Sequence, residues 1–330
     1  MRYSHFLIAL LLTLLTLQFS VNAQSFRRYA GEFMSIDVSA RARALGGAFS
    51  AVSNDVYATF YNPAGLAQVQ STQLGFTHTQ QFLASINYDY IGFAKPISTN
   101  KTIGFSLIRL GVDNIKDSRA AAILGEDGTL LGIDESRVDN FNTSDYVFFF
   151  SLGNRLSNRL SWGFNVKLVR RNLANFYANG LGFDAGLMYN INNRFKISGM
   201  FRNITTTLVA WNSGEKELVS PTMRFGSSYL VPLPGLNAQF IPVVDLIVQT
   251  QSTTNLNQGS FSSGNLGGAF GGEIIFNETL SLRGGYDELE RVNFGIGVHI
   301  PHITVDYALT SYDQELGNAH RIGIMVDFDK

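Results

Sequence analysis

Some fourteen short segments in which apolar and polar residues alternate run from residue 73 to the end of the chain. The clearest is the last: Ile322, Ile324, Val326 and Phe328 alternate with Arg321, Gly323, Met325 and Asp327. Successive side chains of a strand point to opposite faces, so such a segment has one greasy face and one mixed or polar face. In a soluble sandwich the greasy face points inward; in an outer-membrane barrel it points outward, into lipid. The direction of these faces decides what the protein is.

The 330 residues carry a formal charge of −1 and no cysteine. Near-neutral charge gives no electrostatic case for nucleic acid. The absence of cysteine excludes a disulfide framework and thiol chemistry. Arg2, an apolar stretch at 6–17 and the small-residue pattern Val21-Asn22-Ala23 predict a secretory signal over 1–23, cut before Gln24. No later apolar stretch is long enough to span a bilayer as a helix, so a mature chain in a membrane must form a closed barrel.

Residues 36–52 read as a helix, with Asp37 or Ser39 as cap and Ala40, Ala42, Ala44 and Leu45 favouring it. Gly46-Gly47 interrupts it or lets it pack closely on a neighbour. Asn62-Pro63-Ala64-Gly65 reads as a turn. The predicted strands are 73–79, 85–95, 102–110, 145–153, 160–171, 181–190, 194–202, 221–230, 236–249, 265–276, 279–286, 292–299, 302–309 and 319–328. Their connections alternate. Tight turns fall at 96–101, 154–159, 192–193, 232–235, 277–278 and 301; longer links fall at 111–144, 172–180, 203–220, 250–264, 287–291 and 310–318. Short turns on one rim and long loops on the other are the pattern of an outer-membrane barrel.

The polar faces repeatedly carry a charge in mid-strand: Lys167, Asp184, Lys196, Arg224, Asp245, Glu273, Arg283 and Asp306. A dry core would tolerate these only in pairs, whereas a lumen holds them through cross-strand pairs or bridges to an internal plug. Tyr88, Tyr90, Trp162, Tyr189, Tyr229, Tyr286 and Tyr307 are candidates for interfacial girdles, or are ordinary strand formers. Residues 146–152 are apolar on both faces, so the inward ones must touch the N-terminal helix or an apolar molecule. Pro242 cannot donate to a ladder and predicts a kink or bulge in its strand.

Gly31-Glu32-Phe33-Met34, then the run from Ser39 through Arg41, Arg43, Leu45, Gly46 and Gly47 to Ala48, then Asn54-Asp55, and finally Phe60-Tyr61-Asn62-Pro63-Ala64-Gly65-Leu66 closely resemble the N-terminal signature of the PorV/PorQ family. That family belongs to the FadL-like outer-membrane barrels. The resemblance implies an all-β fold: a fourteen-stranded antiparallel transmembrane barrel over 71–330, with residues 24–70 folded into its lumen as a short helical plug. It also implies a place in the outer membrane of a Gram-negative, Bacteroidota-like cell. PorV-like members carry secreted cargo in type IX secretion, PorQ-like members partner a surface protein of that system, and FadL itself passes hydrophobic molecules. In such a lumen Arg41 and Arg43 would pair with inward carboxylates, and the Asn62-Pro63-Ala64-Gly65 turn would hand the chain from plug to wall.

No nucleophile elbow, phosphate loop or cofactor motif is present. His299 and His302 flank a tight turn, but two histidines without cysteine are a weak metal signal. The acidic link 111–144 matches no calcium-loop spacing. Two functions follow. One is a non-enzymatic barrel whose loops at 111–144, 203–220 and 250–264 hold type IX translocon or cargo proteins. The other is a FadL-like transporter of hydrophobic small molecules. Inward Phe149 and Ile241 are outnumbered by inward charges, which favours the first.

Overall fold

The computed structural model describes residues 31–81, 86–125, 127–249, 265–312 and 318–328. The expected signal at 1–23 and the expected loop at 250–264 lie outside them. Fourteen spanning strands follow one another around a closed wall. They are β1 (Gln73–Gln81), β2 (Ile86–Ser98), β3 (Lys101–Asp117), β4 (Asp139–Arg155), β5 (Leu160–Leu173), β6 (Phe176–Asn190) and β7 (Phe195–Arg202), then β8 (Thr222–Tyr229), β9 (Ala238–Gln249), β10 (Asn265–Phe276), β11 (Leu280–Tyr286), β12 (Val292–Ile300), β13 (Ile303–Thr310) and β14 (Ala319–Asp327). Each pairs antiparallel with its neighbours, and β1 closes on β14 with Gln73 opposite Asp327 and Gln80 opposite His320. Closure leaves no sheet edge, which is what a membrane demands of a β structure.

The greasy faces point out. Ile322 and Ile324 are 52% and 43% exposed, whereas Arg321 between strands β1 and β13 is 4% exposed. Phe148 and Phe150 face outward and Phe149 between them is buried. Outward aromatics meet across the strands, as in the edge-on pair Phe105–Phe150 at 5.6 Å. Tyr88 and Tyr90 are not girdle residues: both are fully buried on the lumen side, where their rings pack and their hydroxyls bond the N-terminal segment.

Several connections are shorter than their composition suggests. The link at 111–144 is largely sheet, because β3 and β4 rise together to Asp117 and Asp139. Above them a small hairpin joins Ala122–Leu124 to Leu130–Ile133. The link at 172–180 shrinks to two residues between β5 and β6. In 203–220, Thr207–Trp211 continues β7 along β6, and Lys216–Val219 pairs with it. Polar residues there paired as strand because their inward partners gave them a wall to join, which composition does not reveal. Asn277 and Glu278 both take positive φ, the turn geometry that matches strand twist.

The expected helix over 36–52 is much shorter. Ser39 caps α1 (Ala40–Ala44), and Gly46 and Gly47, with φ of 69° and 80°, end it. A second short helix, α2 (Ala58–Tyr61), and 3-10 turns at Glu32–Ser35 and Pro63–Gln68 complete the segment. Nearly all of 31–69 is buried inside the wall.

Ile324 lies mid-strand on the outward face, so Ile324→Arg is expected to lower folding stability in lipid vesicles by about 2–4 kcal/mol. Denaturant titration of vesicle-inserted protein measures this; an unchanged midpoint would mean that the face does not meet lipid.

Candidate functional site: the filled lumen

The plug lies against the wall because the wall lacks side chains where it lies. A Cβ on Gly163 of β5 would fall 2.1 Å from the Pro63 carbonyl carbon, and one on Gly186 of β6 would fall 2.0 Å from Asn62 Oδ1. On the far side, a Cβ on Gly285 of β11 would meet the Leu45 carbonyl carbon at 2.3 Å. These approaches are closer than real Cβ contacts, so glycine is required, at Gly163 and Gly285 for backbone against backbone and at Gly186 to admit the Asn62 amide. The closeness is mutual at Gly46, whose positive φ and contact with the Tyr286 carbonyl exclude any side chain.

The Asn62-Pro63-Ala64-Gly65 turn is built for this seat. Asn62 is extended and caps the next turn, its Oδ1 accepting from the Ala64 N–H at 3.1 Å. Its Nδ2 donates to the Ser50 carbonyl at 3.1 Å and to the Leu187 carbonyl of β6 at 3.2 Å. Pro63 opens the 3-10 turn where its missing N–H costs nothing. Gly65 passes so close to the Ser53 carbonyl that no Cβ fits.

Charges hold the other side. Arg41 pairs with Glu273 at 2.7 Å and approaches Asp55 at 3.7 Å. Glu273 also accepts from Arg283 at 2.6 Å, and Arg283 reaches Asp306 at 2.6 Å. Arg43 bridges Asp37 at 3.0 Å and Asp287 at 2.7 Å. In the plug, burial pushes the Asp55 carboxyl up to about 6, against the opposing pull of Arg41. The other inward charges divide. Asp245 accepts from the Ser50 hydroxyl at 2.8 Å, Arg224 donates to the Gly47 carbonyl at 3.1 Å, and Lys196 donates to Gln68 at 3.1 Å. Lys167 and Asp184 pair within the wall at 2.6 Å. The ladder between β9 and β10 runs without a shift through Pro242, opposite Gly272, so no bulge forms there. The Pro242 nitrogen falls instead where β8 gives way to the short strand Val231–Leu233. The regular strand is interrupted instead at 203–206, where Asn203 and Thr206 take positive φ while the Ile204 N–H still donates to the Phe183 carbonyl of β6 at 2.9 Å.

One arc of the lumen is apolar. Tyr90, Ile108, Val147, Val169, Gly180 and Val209 form one inward row across consecutive strands. Phe33, Met34 and Val38 of the plug join the same buried cluster. One row higher, the Arg171 guanidinium lies over the Phe33 and Trp211 rings at 5.4 and 5.3 Å. Inward Phe149 meets Phe60 of the plug edge-on at 6.2 Å. Sequence reasoning missed Asp287, because it sits at a strand end in a turn. It also missed the inward tyrosines, whose alternation with Asp89 was the available signal.

An uncharacterised protein family (UPF0164) matches residues 20–117. No curated protein matches the chain. Among solved structures, the CymD monoaromatic hydrocarbon channel is 11% identical, with a TM-score of 0.59, over 89% of this chain and 98% of that one. The Pseudomonas putida toluene transporter TodX is 12% identical, with a TM-score of 0.55, over 88% and 98%. A Pseudomonas aeruginosa FadL homologue is 10% identical, with a TM-score of 0.54, over 88% and 98%. The chain is therefore a closed fourteen-stranded outer-membrane-type barrel with the FadL-like architecture.

Deleting residues 36–66 is expected to raise single-channel conductance in planar bilayers, because that segment fills the charged layer. An unchanged trace would mean that the segment does not close the lumen.

Proposed function

We propose that this chain is an outer-membrane barrel of FadL type that takes a hydrophobic small molecule from outside the cell into the upper lumen. The observation that carries the reading is the inward apolar row from Tyr90 to Val209. An apolar cargo that takes the place of Phe33, Met34 and Val38 on this row gains about 25 cal/mol for each Å² of its own surface removed from water. It gains nothing by passing the ion pairs of Arg41, Glu273 and Arg283, so it leaves toward lipid rather than through the plug. The likeness in fold to a monoaromatic hydrocarbon channel and a toluene transporter supports this reading.

A second reading, a PorV/PorQ-type barrel that binds secreted or surface proteins in type IX secretion of Bacteroidota, rests on a different observation. The hairpin above β3 and β4 exposes Ile123, Leu130, Leu131 and Ile133, at 48–69%. Apolar side chains held outside the lipid band are the composition of a protein contact. Their position, with the resemblance of 31–66 to that family, supports an adaptor role.

Two measurements separate the readings. Binding of the apolar dye N-phenylnaphthylamine to the detergent-purified barrel is expected to fall sharply in Val147→Asp, which puts a carboxylate into the apolar row. Equal binding by wild type and variant would contradict the transporter reading. A mild-detergent pull-down that recovers translocon or sorting-domain proteins, and loses them in Leu131→Asp, would move the assignment to the adaptor.

A further inference from the structure

The rim of short turns, which faces the periplasm in outer-membrane barrels, is electrically one-sided. Three successive turns, at 95–101, 154–159 and 190–196, carry Lys95, Lys101, Arg155, Arg159, Arg194 and Lys196 and contain no acidic residue. Within this arc, where the plug meets β5 and β6, the structure has an open polar cavity of about 350 Å³. Its walls include Arg155 and Arg159 with the amides of Asn54, Gln68, Gln70 and Asn190, and no carboxylate. Arg155 is held in place by donating to the Ala67 carbonyl at 2.7 Å, and Lys196 backs the cavity through Gln68 at 3.1 Å. The Arg159 side chain has no bonded partner among the described residues; the turn uses its backbone N–H and carbonyl.

These features describe a ligand. Guanidiniums without carboxylates call for an oxyanion, which an arginine meets with paired, charge-assisted bonds. A cavity this size is larger than a bare phosphate ion needs. The exposed amides of Asn54 and Gln70 in the same wall offer both donors and acceptors, which suit hydroxyl groups beside an oxyanion. We propose that the cavity binds a polyol phosphate ester, with the phosphate between Arg155 and Arg159 and its hydroxyls against the amides of Asn54 and Gln70. Glycerol phosphate has this chemistry, either free in the periplasm or as the headgroup of an anionic lipid. Lys95 and Lys101, exposed on the outer side of the neighbouring turn, face the level at which such headgroups lie. The site is at the opposite end of the plug from the apolar row and does not depend on the cargo assigned to it.

The test uses the full-length protein. Calorimetry with sn-glycerol 3-phosphate, glycerol and inorganic phosphate covers the free source. Native mass spectrometry after release from nanodiscs containing phosphatidylglycerol or phosphatidylcholine covers the lipid source. The expected result is binding of glycerol phosphate over glycerol, or selective retention of phosphatidylglycerol, weakened about tenfold or more in Arg159→Gln as befits loss of a charge-assisted bond. Arg159 is exposed on a turn, so that variant keeps its fold. Arg155→Lys, which retains charge but not the fork, is expected to show intermediate weakening. Failure of both the free ester and the lipid to bind overturns the proposal, as does binding that Arg159→Gln leaves unchanged.

Discussion

Everything inside this barrel depends on backbone meeting backbone at the wall. A lumen lined by ordinary side chains would leave the plug nowhere to lie. Glycines at Gly163, Gly186, Gly271 and Gly285 cut a seat into opposite walls, and the plug answers with Asn62, Pro63, Leu45 and Gly46. Two irregular surfaces can then approach without side chains between them, and the gaps that would cost dispersion energy are absent. The short helices follow from the same constraint. A long helix would present bulk on every side, whereas a five-residue helix ended by two glycines can turn where the wall requires.

The charges refine this fit. Arg41, Glu273, Arg283 and Asp306 form a chain in which each buried charge has an opposite neighbour. Such pairs add little net stability over an apolar packing, but breaking one costs about 3–5 kcal/mol because the remaining charge is stranded. Their effect here is orientation: Arg41 and Arg43 lie on one short helix and reach different walls, toward Glu273 and Asp287. The plug is thereby held in rotation as well as in depth.

Much of this was legible in the residues. Alternation placed all fourteen strands, because a lipid-facing surface tolerates few polar interruptions and so keeps its period. The chain ends of each strand were less clear. Polar segments such as 111–117 and 139–144 read as loop, yet they pair because the wall extends beyond the lipid band, where alternation is no longer enforced. The helix over 36–52 was overread, since Ala-rich propensity is a weak signal beside the demand of Gly46 and Gly47 for positive φ. Tyr88 and Tyr90 read equally as girdle residues or ordinary strand formers; only the register, which sets Tyr88 against Phe33 and Ile36 and Tyr90 against Thr59 and Val56, decides. The inward apolar row was invisible for a related reason. Its members lie one on each of several strands, and only the pairing brings them together.

The central claim is that residues 31–69 occupy the lumen of the native barrel in this one seating. The chain has no cysteine, and a Cβ on Gly323 of β14 would lie 3.7 Å from that of Ala40 in the plug, within the range a disulfide spans. The decisive measurement is the redox state of the Ala40→Cys, Gly323→Cys protein folded in outer membranes and oxidised mildly. The account predicts nearly complete cross-linking between plug and wall, seen by mass spectrometry of the digested protein. Two free thiols, both open to alkylation in the folded barrel, would contradict it.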